Sequence, residues 1–208
     1  MKEIFYGIFV HPLVVILLTI YLFLNDFGIT IILMSLLLKI FLSPLSFLQY
    51  LEEKKLKKIR ERVNKETINI KDFIKKVEIM NKIYEEEKFS PFKNILINFS
   101  LIPFYLGAIL AIYELVKTTP NALFLNYINL LKPNIYLAFI TTFFNFYYAY
   151  NQPGENRKIM FFIFGVLSVI LFTLPSFLIL YILTSIILSF LERKIFDWYY
   201  VKFIIKSV

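Results

Sequence analysis

Within a long apolar stretch, Lys39 is the side chain that could take part in ionic chemistry. It lies near the middle of residues 27–48, which carry no other charge. A run of this length can cross a bilayer as a helix, and a lysine at that depth costs about 2.5–3.5 kcal/mol on insertion scales. Gln49 follows about 15 Å further along the helix, too far for the lysine side chain to reach comfortably. We therefore expect Lys39 to face water or polar groups inside the protein.

Further uncharged polar residues occur once or twice in each apolar segment. Ser35 and Ser43 lie one helical turn on either side of Lys39 and form a polar stripe with it. Together with this stripe, the predicted hydrophilic groove comprises Asn98, Thr141, Asn145, Ser185 and Ser189. Two interpretations of Lys39 stay open: a water-filled functional cavity, or a lysine satisfied by carbonyl groups or by one buried partner. Each Ser or Thr alone could instead bond to its own helix.

The residue types needed for covalent catalysis are missing from the sequence. It has no cysteine, and its one histidine, His11, lies near the N-terminus. It contains no metal-ligand cluster and no glycine-rich phosphate loop, and Ser–His catalysis has no base. We therefore predict no catalytic residue, no metal, no cofactor and no enzymatic activity.

The composition indicates a polytopic membrane protein. Hydrophobic residues make up 59% of the 208 residues, against about 45–50% in soluble domains. We predict an all-α fold with a five-helix transmembrane core, a cytoplasmic helical hairpin and an N-terminal interfacial helix. Four prolines are predicted to break or end helices: Pro44, Pro91, Pro103 and Pro175.

The hairpin is predicted from a strongly charged insertion. Residues 52–93 hold 13 basic and 9 acidic side chains. Within them, two apolar seams at helical spacing predict a pair of antiparallel helices, with Asn69 in the turn. The first seam is Leu48, Leu51, Leu56, Ile59 and Val63, and the second is Phe73, Val77, Met80 and Tyr84. A loosely helical linker is the alternative. Since positive charge favours the cytoplasm, we place the hairpin and the C-terminus there.

These expectations divide the chain into five parts. Residues 1–26 are predicted as an interfacial helix, with a membrane-spanning helix as the alternative. The remaining parts are a transmembrane helix (27–50), the hairpin (51–93), four further transmembrane helices (94–192) and a basic cytoplasmic tail (193–208). Residues 117–133 are predicted as a loop, and the last three spans are short enough to thin the bilayer nearby.

Three stretches together resemble the YidC/Oxa family of membrane protein insertases. Lys39 and Pro44-Leu45 match the spacing of that family's R-x-x-x-x-P-L. Pro91 and Pro103 are 12 apart, as in the family, and Leu174 to Ser185 resembles its F-P-A-G-L-x-L-Y-W-x-x-S-N. The resemblance covers about residues 20–196. The chain departs from the family where lysine replaces arginine and where Gly-Gly-Cys and Gln before Pro103 are absent, which puts bidentate contacts in doubt.

The resemblance implies an insertase of the cell membrane, in a small form without a large extracytoplasmic domain. A nascent membrane protein would offer a short hydrophilic segment to a groove, where the Lys39 charge attracts acidic residues, and its apolar segment would then pass to lipid. Implied partners are nascent membrane proteins, the ribosome through hairpin and tail, a Sec-type translocon and membrane lipids. The alternatives are a small channel or transporter with an anion site at Lys39, and a scaffold that acts through its hairpin.

Overall fold

The computed structural model describes residues 2–70, 72–119, 122–151 and 154–204. The predicted basic tail at 193–208 therefore lies partly outside the described residues. The elements are almost all helical, as predicted. They are α1 (Lys2–Phe5), a π-helical turn (Tyr6–Val10), α2 (His11–Leu24), α3 (Phe27–Thr67), α4 (Phe73–Glu86), α5 (Pro91–Phe99), α6 (Ile102–Thr118), β1 (Leu123–Phe124), β2 (Ile128–Asn129), α7 (Ile135–Tyr150), α8 (Gly154–Leu171), α9 (Ser176–Tyr199) and a second π-helical turn (Tyr200–Ile204).

In the described part of the chain, four helical segments are long and apolar enough to cross a membrane: Glu3–Leu24, Phe27–Thr67, Pro91–Thr118 and Ser176–Lys202. The last three contain predicted spans. The first is the segment predicted as interfacial, so whether it spans stays open. Neither α7, with 16 residues, nor α8 belongs to this set, and the number of five spans stays a prediction.

Two positions predicted near the ends of transmembrane segments lie inside continuous helices, and the membrane boundaries themselves stay predictions. Pro44 lies inside α3 rather than at its end. Apolar spans tolerate an interior proline because neighbouring groups satisfy the freed backbone. Similarly, α9 continues through the boundary at 192–193 to Tyr199.

The other three prolines lie where helices begin. Pro91 follows Ser90, whose hydroxyl accepts a hydrogen bond from the backbone N–H of Lys93 at the start of α5. Pro103 falls in the first turn of α6, after a break between Phe99 and Ile102. Pro175 is the N-cap residue of α9, so the helices break at this proline, as predicted. A proline fits the first helical turn because no N–H is needed there.

Two compact units are present, and the smaller one covers Leu42–Ile102. Its α3 and α4 portions form the predicted hairpin around buried Ile59, Ile83 and Phe89. Phe73, predicted in the seam, is instead 77% exposed because it begins α4.

Polar groups supplement this hairpin core. Arg62 binds Glu66 at 2.8 Å and Glu86 at 2.6 Å, and these bonds raise the pKa of its guanidinium group. Exposed pairs of this kind contribute little stability, so the apolar cluster holds the hairpin. At the break before α6, the Gln49 side chain donates to the carbonyl of Ile97 at 3.1 Å. The same carbonyl also accepts a hydrogen bond from the Ser100 hydroxyl at 2.6 Å, so two side chains bind the end of α5.

The larger unit comprises Met1–Phe41 and Pro103–Val208. Its described core packs α7 against α8 and α9 around Leu137, Ala138, Leu171, Ile179 and Leu183. Residues 117–133, predicted as a loop, contain a small antiparallel hairpin in which Leu123 pairs with Asn129. Two-residue strands are too short for a sequence pattern to reveal.

This β-hairpin binds the starts of two helices. The Asp26 carboxylate accepts hydrogen bonds from the N–H of Ile29 in α3 at 2.8 Å and of Leu125 at 2.7 Å. The Ser176 hydroxyl, at the start of α9, donates to the carbonyl of Lys132 at 2.5 Å. Residues 122–132 thereby connect the N-terminal ends of α3 and α9.

We expect a Gly28→Ala substitution to destabilise this end by about 1–3 kcal/mol, the range for overpacking. An added Cβ would lie 2.6 Å from the Cβ of Phe124 and overlap its ring. Thermal unfolding in detergent would measure the effect. Gly165→Ala is the matched control because nothing lies within 4 Å of its added methyl group. Equal melting temperatures for both variants would contradict the close contact with Phe124.

Candidate functional site

A cavity of about 340 Å³ lies beside Lys39 in the larger unit. Pockets that hold small ligands have about 300–1,000 Å³. Five helices line it, namely α3, α6, α7, α8 and α9. The lining residues are Lys39, Tyr105, Asn145, Tyr148, Phe164, Tyr181, Ile182, Ser185, Ile186 and Ser189. Seven of these ten side chains carry a polar group, although most of the surface that they present to the cavity is apolar.

Lys39 forms an ion pair at this cavity. Its ammonium nitrogen lies 3.0 Å from Oε2 of Glu192 in α9, and the two side chains are only 12% and 13% exposed. The same nitrogen is 5.8 Å from the ring centroid of Tyr105, within the range of cation–π attraction. The structure therefore shows the buried partner of the second interpretation, with a cavity beside the pair, and the water-filled functional cavity of the first stays a prediction.

Three buried polar atoms at the cavity or at the ion pair have no hydrogen-bond partner among the described residues. They are Nδ2 of Asn145, Oη of Tyr181 and Oε1 of Glu192. Asn145 is 1% exposed. A buried donor or acceptor left unpaired costs about 1–3 kcal/mol. Such atoms are typical of a site that water or a bound group completes.

The structure brings together half of the predicted groove residues. Lys39, Asn145, Ser185 and Ser189 line the cavity. Ser35 and Thr141 are not among the lining residues, and their hydroxyls donate to the carbonyls of Ile31 and Leu137 one turn earlier in their own helices. Their place in the predicted groove stays a prediction.

The other two predicted groove residues belong to the smaller unit and are not among the lining residues. Ser43 is half-buried in α3. The Asn98 side chain is exposed and donates to the carbonyl of Asn94 at 2.9 Å. An asparagine in an apolar segment needs a partner, and Asn98 finds it in its own helix.

Sequence reasoning missed Glu192 and the tyrosines of the cavity wall. Glu192 was assigned to the end of the last predicted span. Its spacing from Ser185 and Ser189, seven and three residues earlier, places it on their face of α9 and was the available signal. Tyr148 had a similar signal, since it lies on one helix face with Asn145. Tyr105 and Tyr181 had none, because aromatic residues are also abundant at membrane interfaces.

A family model described as 60Kd inner membrane protein matches residues 19–202. The chain belongs to this family, the YidC/Oxa membrane protein insertases. The resemblance inferred from the sequence is thereby confirmed. A search among curated proteins gave no match. Family membership implies membrane protein insertion rather than covalent catalysis, and it implies nascent membrane proteins as partners. With the apolar helices, it supports a multi-pass protein of the inner membrane.

Proposed function

We propose that this member of the family inserts proteins by receiving a short hydrophilic segment in the cavity at Lys39 and releasing the following apolar segment to lipid. The observation that carries the proposal is a cavity lined by five helices, with a buried cation and several polar side chains in a mostly apolar wall. A polar segment in contact with Asn145, Ser185 and Ser189 would exchange hydrogen bonds with water for hydrogen bonds with protein. The cost of moving it through hydrocarbon would fall accordingly.

The short helices α7 and α8 support a second part of the proposal. With 16 and 18 residues, they are about 24 and 27 Å long, below the typical hydrocarbon thickness of about 30 Å. A bilayer that adapts to such helices becomes thinner nearby. A polar segment at the cavity would then cross less hydrocarbon.

We also propose a direction of transport. The basic hairpin and the described basic residues after Glu192 belong on the cytoplasmic side by the positive-inside rule, where they would contact the ribosome, anionic lipid or a Sec-type translocon. Residues 122–132, which include the β-hairpin, then belong to the outer side, where they connect the starts of α3 and α9. The cavity would accordingly open towards the cytoplasm and lipid and stay closed outside.

This orientation predicts opposite accessibilities for two introduced cysteines. The chain has no cysteine of its own, so Lys75→Cys and Tyr127→Cys each provide a single thiol at an exposed position. In intact cells, a membrane-impermeant maleimide is expected to label the second thiol, and the first only after the membrane is opened. Labelling of Lys75→Cys in intact cells would contradict the orientation.

The anion channel is less well supported, because Glu192 already neutralises the Lys39 charge. To test insertion itself, the full chain would be reconstituted in liposomes with a ribosome-synthesised single-span protein that carries a hydrophilic N-terminal tail. Protease protection of that tail should exceed the protection in protein-free liposomes. Equal protection in both would overturn the proposed function.

A further inference from the structure

The ion pair at the cavity is asymmetric. Lys39 binds Oε2 of Glu192 at 3.0 Å, while Oε1 of the same carboxylate is buried without a hydrogen-bond partner among the described residues. A buried pair that serves only stability would be expected to satisfy its remaining lone pairs with further hydrogen bonds. This pair does not, although it lies next to polar side chains.

The ammonium group can also bind more than one acceptor. It carries three N–H donors, and Glu192 is its one hydrogen-bond partner in the part of the chain described. Lys39 lines the cavity, so a second acceptor could approach it from that side. Glu192 therefore pairs with the Lys39 ammonium group but leaves it able to bind a second acceptor from the cavity.

Glu192 occupies the position that a carboxylate of an inserted segment would need in order to bind Lys39. It follows Ser185 and Ser189 at helical spacing on α9, and both serines line the cavity. An acidic side chain that entered the cavity and bound Lys39 would have to share the ammonium group with Glu192 or displace it. A basic side chain would instead compete with Lys39 for the Glu192 carboxylate.

We propose that Glu192 is an internal competitor for Lys39 and determines which charges the insertase accepts in a hydrophilic segment. This inference rests on the proposed function and adds to it a specificity-determining residue. With Glu192 in place, the site has no net charge, and a segment gains little by carrying one acidic or one basic residue. The wild-type chain therefore accepts acidic, neutral and basic segments about equally.

The expected size of the effect follows from this competition. An acidic side chain binds Lys39 only in molecules in which the Lys39–Glu192 pair is open, so its apparent affinity falls in proportion to the open fraction. A pair that is closed in about 90% of molecules weakens binding of the acid about tenfold. Removing the Glu192 charge cancels this loss. Glu192→Gln should prefer an acidic tail about tenfold over a neutral one, and Lys39→Gln should prefer a basic tail.

The test uses the full chain in liposomes and three ribosome-synthesised single-span proteins. Their hydrophilic tails differ at one position, which is aspartate, asparagine or lysine. Protease protection of each tail is measured for the wild type, Glu192→Gln, Lys39→Gln and the control Glu61→Gln, which removes an exposed charge that does not line the cavity. The readout is the ratio between tails, which a general loss of folded protein would leave unchanged.

Opposite shifts of this ratio in Glu192→Gln and Lys39→Gln, with none in Glu61→Gln, would support the competitor role. Normal insertion of the neutral tail without any shift would overturn it and leave the proposed function intact. If Glu192→Gln inserts no tail at all, Lys39→Gln decides: a preference for the basic tail supports the role, and indifference overturns it. Failure of the wild type with all three tails would overturn the proposed function and this inference with it.

Discussion

Lys39→Glu is expected to reduce insertion of a substrate with an acidic tail at least about tenfold, a loss of about 1.4 kcal/mol of transition-state stabilisation. The substitution would set two carboxylates against each other where the structure has an ion pair at 3.0 Å. At an effective dielectric constant of 20, charges at this separation repel by about 5 kcal/mol. An acidic segment would meet this repulsion as well and would find no cation in the cavity.

A double variant with the two charges exchanged distinguishes a loss of function from a loss of stability in this experiment. Lys39→Glu alone is also expected to lower the melting temperature, since loss of one partner of a buried pair costs about 3–5 kcal/mol. Lys39→Glu combined with Glu192→Lys restores opposite charges on α3 and α9. The double variant should regain both melting temperature and insertion. Insertion by Lys39→Glu at the wild-type level would contradict a role for this charge.

Asn145→Leu is expected to lower insertion severalfold while leaving the protein as stable as before or more stable. Asn145 is buried in α7 with an unpaired Nδ2, and removing such a group avoids a desolvation cost of about 1–3 kcal/mol. The same change makes the cavity wall apolar where a hydrophilic segment would need a hydrogen-bond donor. Function and stability should therefore change in opposite directions.

Melting temperature and protease protection, measured on one preparation, check this expectation. Thr141→Val is the matched control on the same helix, because its hydroxyl donates to the carbonyl of Leu137 and does not line the cavity. Its insertion activity should stay near that of the wild type. A lower melting temperature for Asn145→Leu, together with lost insertion, would assign Asn145 a structural role instead.

The features that depend on composition and chain order could be predicted from the sequence. An uninterrupted apolar run around Lys39 predicts a helix, and a charged insertion with spaced apolar residues predicts the hairpin that packs at Ile59 and Ile83. The family followed from spacings between elements. Such features are local in the sequence, so they can be identified without knowing which helices pack against each other.

The composition of the cavity wall could be predicted only in part. Hydroxyl groups such as those of Ser35 and Thr141 can bond to their own helix, so their occurrence in apolar segments does not predict a groove. Glu192 became a partner of Lys39 through the packing of helices 153 positions apart. No local pattern specifies that contact. Pro44 shows the same limit, because tertiary context overrides its helix-breaking tendency.

Site-specific photocrosslinking to a ribosome-bound nascent chain tests most directly whether the cavity receives the hydrophilic segment. A photoreactive residue replaces Ile186, which lines the cavity, or Val169, which is 71% exposed on α8 and does not. The nascent protein carries a labelled hydrophilic tail. We expect position 186 to capture this tail and position 169 not to capture it. Equal capture at both positions, or none at position 186, would contradict passage through the cavity.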